Sequence, residues 1–251
     1  MSVKPAIAWT DATWNPIVGC SKVSAGCVNC YAEKAAAGPR LQKITQYAAV
    51  TRCDRWTGWT SVVASQIDKP LHWKKPRRVF VCSMGDLFHE RNDPEWIDAV
   101  FSVISRCPQH TFQVLTKRPR AMLNYFLRKQ PGAGAQRAPA NVWLGVSVED
   151  QDFVARIIDL FQIDATVHFI SYEPALGPLV LSPAMIEGLH WVIAGGESGA
   201  NARPCHIDWF RAIRDQCVAA RTPFFFKQLG GARKGNLDEF LDGREWKEFP
   251  K

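Results

Sequence analysis

From residue 79 onward, short apolar runs alternate with amphipathic stretches, and this alternation constrains the fold more than any other feature of the chain. The runs are Val79–Ser83, Thr111–Thr116, Asn141–Ser147, Thr166–Ser171, His190–Ala194 and Pro223–Lys227. Each is short, rich in β-branched or aromatic residues and bounded by turn signals, the pattern of a buried strand. Between them the spacing predicts helices. Asp93 caps one, with Pro94 in its first turn and Trp96, Ile97, Val100, Phe101 and Ile104 on one face. Pro119 opens a second, with Met122, Leu123, Phe126 and Leu127 facing inwards, and Glu149–Phe161 and His206–Ala220 read as two more. Strand–helix repetition of this kind builds βαβ units on a parallel sheet. With Ala6–Trp9 as a first strand the count is about seven. The predicted fold is therefore α/β, a partial or closed (β/α) barrel with parallel strands; a flat doubly wound sheet is the alternative.

The 251 residues suit a single domain of this type, and no linker interrupts them. Residues 31–50 read as helix broken at Gly38-Pro39. Residues 51–78, with Trp56, Trp59, Trp73 and the basic run Lys74-Lys75-Pro76-Arg77-Arg78, read as an insertion near the site. Residues 130–140 read as a flexible loop and 230–251 as a polar, glycine-rich, weakly structured tail.

Parallel α/β folds place their sites at the C-terminal ends of the strands. Here those ends carry Gly85-Asp86, Thr116-Lys117-Arg118, Ser147 and Glu149, Ser171 and Glu173, Gly195-Gly196-Glu197-Ser198, and Lys227-Gln228. Each has a structural reading beside the functional one. Asp86 and Glu149 suit helix caps or first-turn acids. Glu173 suits a turn before Pro174. The paired glycines suit a tight turn or the close approach of a ligand. His168 reads as a core residue, and His89 and His206 as loop or helix-start residues.

A second feature bears on chemistry. Cys20, Cys27 and Cys30 fall within eleven residues, with Gly19 and Gly26 each preceding a cysteine. Three thiolates on one loop can hold three corners of an iron–sulfur cube or three positions on zinc. No fourth ligand follows nearby, which leaves a position for a substrate or cosubstrate. Cys53, Cys82, Cys107, Cys205 and Cys217 are scattered, as buried small hydrophobes are. Eight cysteines without a secretory pattern argue against a disulfide framework and for the cytoplasm, and no apolar run reaches the ~18 residues of a membrane span. The net charge of +7 points to an anionic partner such as nucleic acid or a nucleotide, or to a mildly basic surface.

The block Thr13-Trp14-Asn15-Pro16, Gly19-Cys20, Ser24, Gly26-Cys27 and Cys30-Tyr31-Ala32-Glu33 resembles the phage Gp37/Gp68 family. So do Ser83–Phe88, Leu115–Pro119, Gly145–Glu149, Ser171–Pro174 and Gly195–Gly199, which together span nearly the whole chain. The family in turn resembles radical S-adenosylmethionine (SAM) enzymes, in which three cysteines hold a [4Fe-4S] cluster and SAM occupies the fourth iron. The usual first gap is three residues, whereas six separate Cys20 from Cys27; the second gap, two residues, is close to the usual one.

The resemblance implies that Cys20, Cys27 and Cys30 bind the cluster. Gly85 and Asp86 would take the place that holds the methionyl amino group, and Ser147 and Glu149 would meet the ribose or carboxylate. The turn from Ile193 through Gly195 and Gly196 to Glu197 would contact the adenine through its backbone, with Tyr31 packing on the same base. Glu173, Lys117 and Cys205, the last as hydrogen-atom donor or fourth ligand, are the candidate catalytic residues. The implied partners are an external electron donor, a nucleic-acid or nucleotide substrate and a partner protein, with no membrane. Two other readings stand beside this one. A non-catalytic zinc- or cluster-binding protein would use the 74–78 run and Trp56, Trp59 and Trp73 as a nucleic-acid surface. A metal-dependent hydrolase would want more histidines at the strand ends.

Overall fold

The computed structural model describes residues 7–129, 136–232 and 238–251. Seven strands form one sheet: β1 (Ala12–Trp14), β2 (Arg78–Val81), β3 (Thr111–Thr116), β4 (Val142–Ser147), β5 (Val167–Tyr172), β6 (Trp191–Gly195) and β7 (Phe224–Gln228). Their order in the sheet is their order in the chain. The pairs β1·β2, β2·β3, β5·β6 and β6·β7 are parallel. An order that never reverses is the connectivity of a (β/α) barrel in its partial form, with β1 and β7 at the two ends. A doubly wound sheet would reverse at a switch point. The principal helices are α1 (Tyr31–Ala36), α2 (Thr45–Val50), α3 (Pro94–Ser105), α4 (Pro119–Lys129), α5 (Arg156–Leu160), α6 (Pro183–Gly188) and α7 (Ile207–Ala220). Among the described residues no helix is long and apolar enough to cross a membrane.

The chain divides into two compact units, residues 1–143 with 163–166, and residues 144–162 with 167–251. In the first unit, Trp14, Val79, Val81, Phe112 and Val114 are buried along β1–β3. Asp93 caps α3 by accepting the Glu95 N–H, and Ile97, Val100, Phe101 and Ile104 are buried as their spacing predicts. Leu127 of α4 faces solvent, and Tyr125 takes the inward position. Its ring stacks on Phe101 at 5.2 Å and its hydroxyl donates to Asp98, two contacts that leucine does not offer. The first strand is Ala12–Trp14; of the predicted Ala6–Trp9, residue 6 lies outside the described residues and residues 7–9 form a bend and turn. Trp9 is buried because its ring packs on Phe80 at 4.7 Å, and pairing with β2 begins only where Asp11 N donates to Arg78 O. Residues 130–135 of the predicted loop lie outside the described residues, and Gln136–Arg137 pair in parallel with Ile163–Asp164.

In the second unit, β5 to β7 bury Phe169, Ile170, Val192, Ile193 and Phe224–Phe226, as strands covered on both faces do. The helix predicted over Glu149–Phe161 is confined to Arg156–Leu160, after one 3-10 turn at Gln151–Phe153 capped by Asp150. Glu149 stays outside because its carboxylate pairs with Arg156 and its carbonyl accepts the Leu176 N–H. Nor is the C-terminal stretch weakly structured where it is described. Phe240–Leu241 and Arg244–Glu245 form a hairpin, and the chain then runs antiparallel to β7, with Phe226 N donating to Trp246 O. Phe249 packs on Trp191 at 5.2 Å, so a segment that reads as polar is anchored by its few aromatics and covers an edge strand.

Gly145, inside β4, has a packing reason. A Cβ there would lie 2.6 Å from Cε1 of the fully buried Phe169 ring. We expect Gly145→Ala to destabilise the protein by about 1–3 kcal/mol through overpacking. Thermal denaturation checks this, with Phe169→Leu in the same chain restoring part of the loss. A melting temperature unchanged by Gly145→Ala would contradict it.

Candidate functional site

The cysteine loop hangs from β1 by backbone and amide contacts. The Asn15 side-chain oxygen accepts from Ser83 Oγ and Met84 N, and Ile17–Val18 pair antiparallel with Ser61–Val62. Gly19 has φ +95°, and a Cβ on it would overlap the Trp59 carbonyl oxygen, so only glycine fits. Gly19 N donates to Met84 O, and Gly85 lies bridged against Gly19. Ala25–Cys27 make one 3-10 turn, and Cys30 occupies the position before α1. Cys27 is buried with its Sγ 3.7 Å from Ser24 Oγ, while Cys30 packs against the apolar cluster that includes Val18, Ala36, Val50 and Met84.

Arg118, at the end of β3, is the centre of the first unit's polar site. It is 5% exposed, a degree of burial that requires its charge to be paired. Nε donates to both Glu90 oxygens at 2.8 Å. Nη1 donates to Asp86 Oδ2 at 3.2 Å and to Cys20 Sγ at 3.6 Å. Nη2 donates to Ser21 Oγ at 2.8 Å and to Ser21 O at 3.1 Å. Burial opposes the guanidinium charge, but Asp86, Cys20 and Glu90 outweigh it and hold the group protonated. Asp86 is buried and also accepts from Thr116 Oγ1 at 2.7 Å, Phe88 N at 3.0 Å and Lys117 N at 3.2 Å. Burial first, then the Asp86 charge, push the Cys20 thiol up to about 12, against the pull of Arg118.

His89 completes this group. Arg91 N donates to its Nδ1, which leaves the Nε2 proton to donate to Ser21 Oγ at 2.9 Å. Burial, then the nearby Arg118 charge, lower its pKa, so the ring is neutral. Glu33, the last residue of the cysteine block, is also buried. It accepts from Trp56 N at 2.9 Å and pairs with Lys22 at 3.3 Å and Arg55 at 3.4 Å. Tyr31 is 54% exposed and its hydroxyl donates to Ser83 O.

The second unit holds the other strand-end residues. Glu149 is fully buried; Arg156 Nη1 donates to its Oε2 and to Ser147 O, each at 2.7 Å. Glu173 pairs with Lys227 at 2.8 Å. Glu197 takes Arg203 in a two-pronged contact, Nη2 at 2.7 Å and Nε at 3.0 Å. A Cβ on Gly195 would lie 2.9 Å from Glu173 Oε1. One on Gly196 would overlap Gly230 and lie 2.8 Å from Cys205 Sγ, which itself accepts the Gly230 N–H. The close approach at the paired glycines is thus made by the chain's own backbone and side chains. Each strand-end acid, Asp86, Glu149, Glu173 and Glu197, has a basic partner from its own unit. Sequence reasoning singled out the acids but not Arg156 or Arg203. It also missed Ser21 and the role of Glu33, whose presence in the cysteine block was the available signal.

The donor chemistry at the cysteine loop suits a thiolate-bound metal group. Cys20, Cys27 and Cys30 put three sulfurs on one short loop, and a metal coordinated there would remove the proton of a thiol such as that of Cys20 outright. Arg118 then supplies a charged donor to that sulfur, the outer contact that orients and tunes a ligand. Cys20 and Cys30 are near enough to act on each other electrostatically. Among the described residues no three His, Cys, Asp or Glu side chains converge on a single ion position. A cube, in which each thiolate takes its own iron, does not require that convergence.

The family described as "Protein of unknown function (DUF5131)" matches residues 4–250. No curated protein matches the chain, and no solved structure does.

Proposed function

We propose that this chain, which belongs to the DUF5131 family, is a radical SAM-type enzyme acting on a nucleic-acid or nucleotide substrate. Cys20, Cys27 and Cys30 hold its [4Fe-4S] cluster. The phage Gp37/Gp68 name fits the same family. The observation that carries the reading is the buried Arg118 guanidinium donating to Cys20 while locked by Asp86, Glu90 and Ser21. A thiol that served only as a small buried hydrophobe would gain nothing from a buried cation with three other partners.

When bound, such a cluster supplies one-electron reductive cleavage of SAM, the source of a 5′-deoxyadenosyl radical for hydrogen abstraction. The chain's residues do the rest. Arg118 fixes the direction of Cys20 and offsets negative charge at its sulfur. Asp86 fixes Arg118, and neutral His89 fixes Ser21 beside it. Gly85, Asp86 and Tyr31 are the first unit's candidate SAM-binding positions, and Ser147, Glu149, Gly195, Gly196 and Glu197 those of the second. Glu173, Lys117 and Cys205 remain the candidates for direct action on substrate. The electron comes from an external donor.

The test is metal and sulfide analysis after anaerobic purification, with electron paramagnetic resonance of the reduced protein with and without SAM. We expect about four irons per chain and a spectrum that SAM perturbs. Stoichiometric zinc with no cluster after reconstitution would overturn the proposal and leave a structural cysteine loop.

A further inference from the structure

Beside the cysteine loop, within the first unit, lies a cavity of about 360 Å³ lined chiefly by Ser21, Lys22, Glu33, Arg55, Trp56 and Gly58. Its lining follows Cys20 directly on one side. On the other it is built by the short hairpin of Thr51–Arg52 and Arg55–Trp56 and the turn after it. The turn passes close over the loop: a Cβ on Gly58, whose φ is +81°, would touch Ser21 Cβ at 4.0 Å.

Counting donors shows what this cavity offers. Ser21 Oγ accepts from Arg118 Nη2 and from His89 Nε2, which uses both of its lone pairs. Its own hydroxyl proton is therefore left to donate, and it has no acceptor among the described residues. Lys22 and Arg55 both lean on one carboxylate oxygen, Glu33 Oε2, so two cations share one anion and the lining carries an excess positive charge. The Arg55 side chain is 66% exposed and engages Glu33 through Nη1 alone, leaving the rest of its fork to a ligand. Trp56 Nε1 is buried with no hydrogen-bond partner. Every unspent group is a donor, and donors with surplus positive charge suit an anionic, oxygen-rich group. One residue beyond Gly58, the Trp59 indole is 61% exposed, with the Arg91 guanidinium 4.0 Å from its ring centre. An exposed indole one residue along the chain from a cationic lining can take a base while the lining takes a phosphate of the same strand.

We infer that this cavity is the substrate subsite of the proposed enzyme and binds single-stranded polynucleotide. A phosphate would sit on Ser21 Oγ, Lys22 and Arg55, and a neighbouring base would stack on Trp59. The inference rests on the substrate class of the proposed function and not on its cofactor. The position of Trp59 beyond the cavity favours a polynucleotide over a free nucleotide, because the stacked base and the held phosphate then belong to adjoining parts of one strand.

Binding of a fluorescein-labelled oligothymidylate to the purified full chain, without SAM, followed by anisotropy at several salt concentrations, tests this. Trp59→Ala and Arg55→Ala should each weaken binding roughly tenfold, with Arg55→Ala lowering the salt slope by about 1. Lys74→Ala/Lys75→Ala, on the basic run elsewhere, should bind as the parent does. No binding by the parent at low salt would overturn the inference. So would equal binding by the Trp59 and Arg55 variants, or an equal loss in the Lys74/Lys75 variant. Full displacement by an equal concentration of thymidine monophosphate would overturn the polynucleotide form. Because SAM is absent, failure here leaves the iron and resonance results standing, and failure there leaves this one standing.

Discussion

In the proposed radical SAM reading, Cys27→Ala should lower cluster iron to background and abolish SAM cleavage, the largest effect expected of any single substitution in this chain. In that proposal Cys27 supplies one of the loop's three thiolates, and a cube held by only two would lose the chelation that assembles it. The fold should survive. Cys27 lies in a single 3-10 turn whose N–H bonds to Ser24 O, and alanine keeps that bond. Iron and sulfide analysis of the reconstituted variant, with circular dichroism to establish folding, makes the measurement. Iron retained at the parent level in a folded Cys27→Ala protein would remove this residue from the cluster. Ala replacements at Cys20 and Cys30 should behave alike in iron content. They should differ in stability, because Cys20 is tied to Arg118 and Cys30 to an apolar cluster.

Arg118→Met unfolds far more easily than the parent, by about 3–5 kcal/mol in the transition that contains the first unit, because Asp86 is left buried and uncompensated. Methionine matches much of the volume, so the loss reports charge and hydrogen bonds rather than a void. Asp86→Asn in the same chain should recover part of it, since the stranded charge is then gone and Thr116 and Phe88 still have an oxygen to bond. Urea denaturation of the parent, both single variants and the double variant gives the coupling. Additive losses would show that Arg118 and Asp86 do not act as a pair. A purely structural pair would leave the reduction potential of the proposed cluster unchanged in a folded Arg118→Lys protein. An oriented donor on Cys20 predicts a shifted one.

The two expected results separate what the cysteine loop does from what holds it. The loop's candidate ligands were legible because their chemistry is written in residue type and spacing. The holding network was legible only in part. Leu115–Pro119 stands out as a motif, with Lys117 and Arg118 as cations just past a strand end. The sequence does not say which carboxylate meets Arg118: it is Asp86, thirty-two residues earlier, with Glu90 and Ser21 beside it.

By itself the sequence determined the alternating pattern and so the parallel α/β fold, because burial on both faces forces continuous apolar strands and a crossover between each pair. It also determined the start of α3, the extent of α7 and the glycine between Cys20 and the first strand. Tertiary structure decided which polar residues spend their charge on each other. Glu149 reads as a helix acid until Arg156 is found beside it, and the space a side chain at Gly195 or Gly196 would need is taken by Glu173, Gly230 and Cys205. The cavity behind Cys20 has no sequence signature either. It exists because a hairpin from residues 51–58 folds back over Ser21, and its free donor exists because His89 and Arg118 together exhaust that hydroxyl's lone pairs. Periodicity is local and survives in one dimension. The pairing of a buried charge is set by which strands end side by side, and only the folded chain brings those ends together.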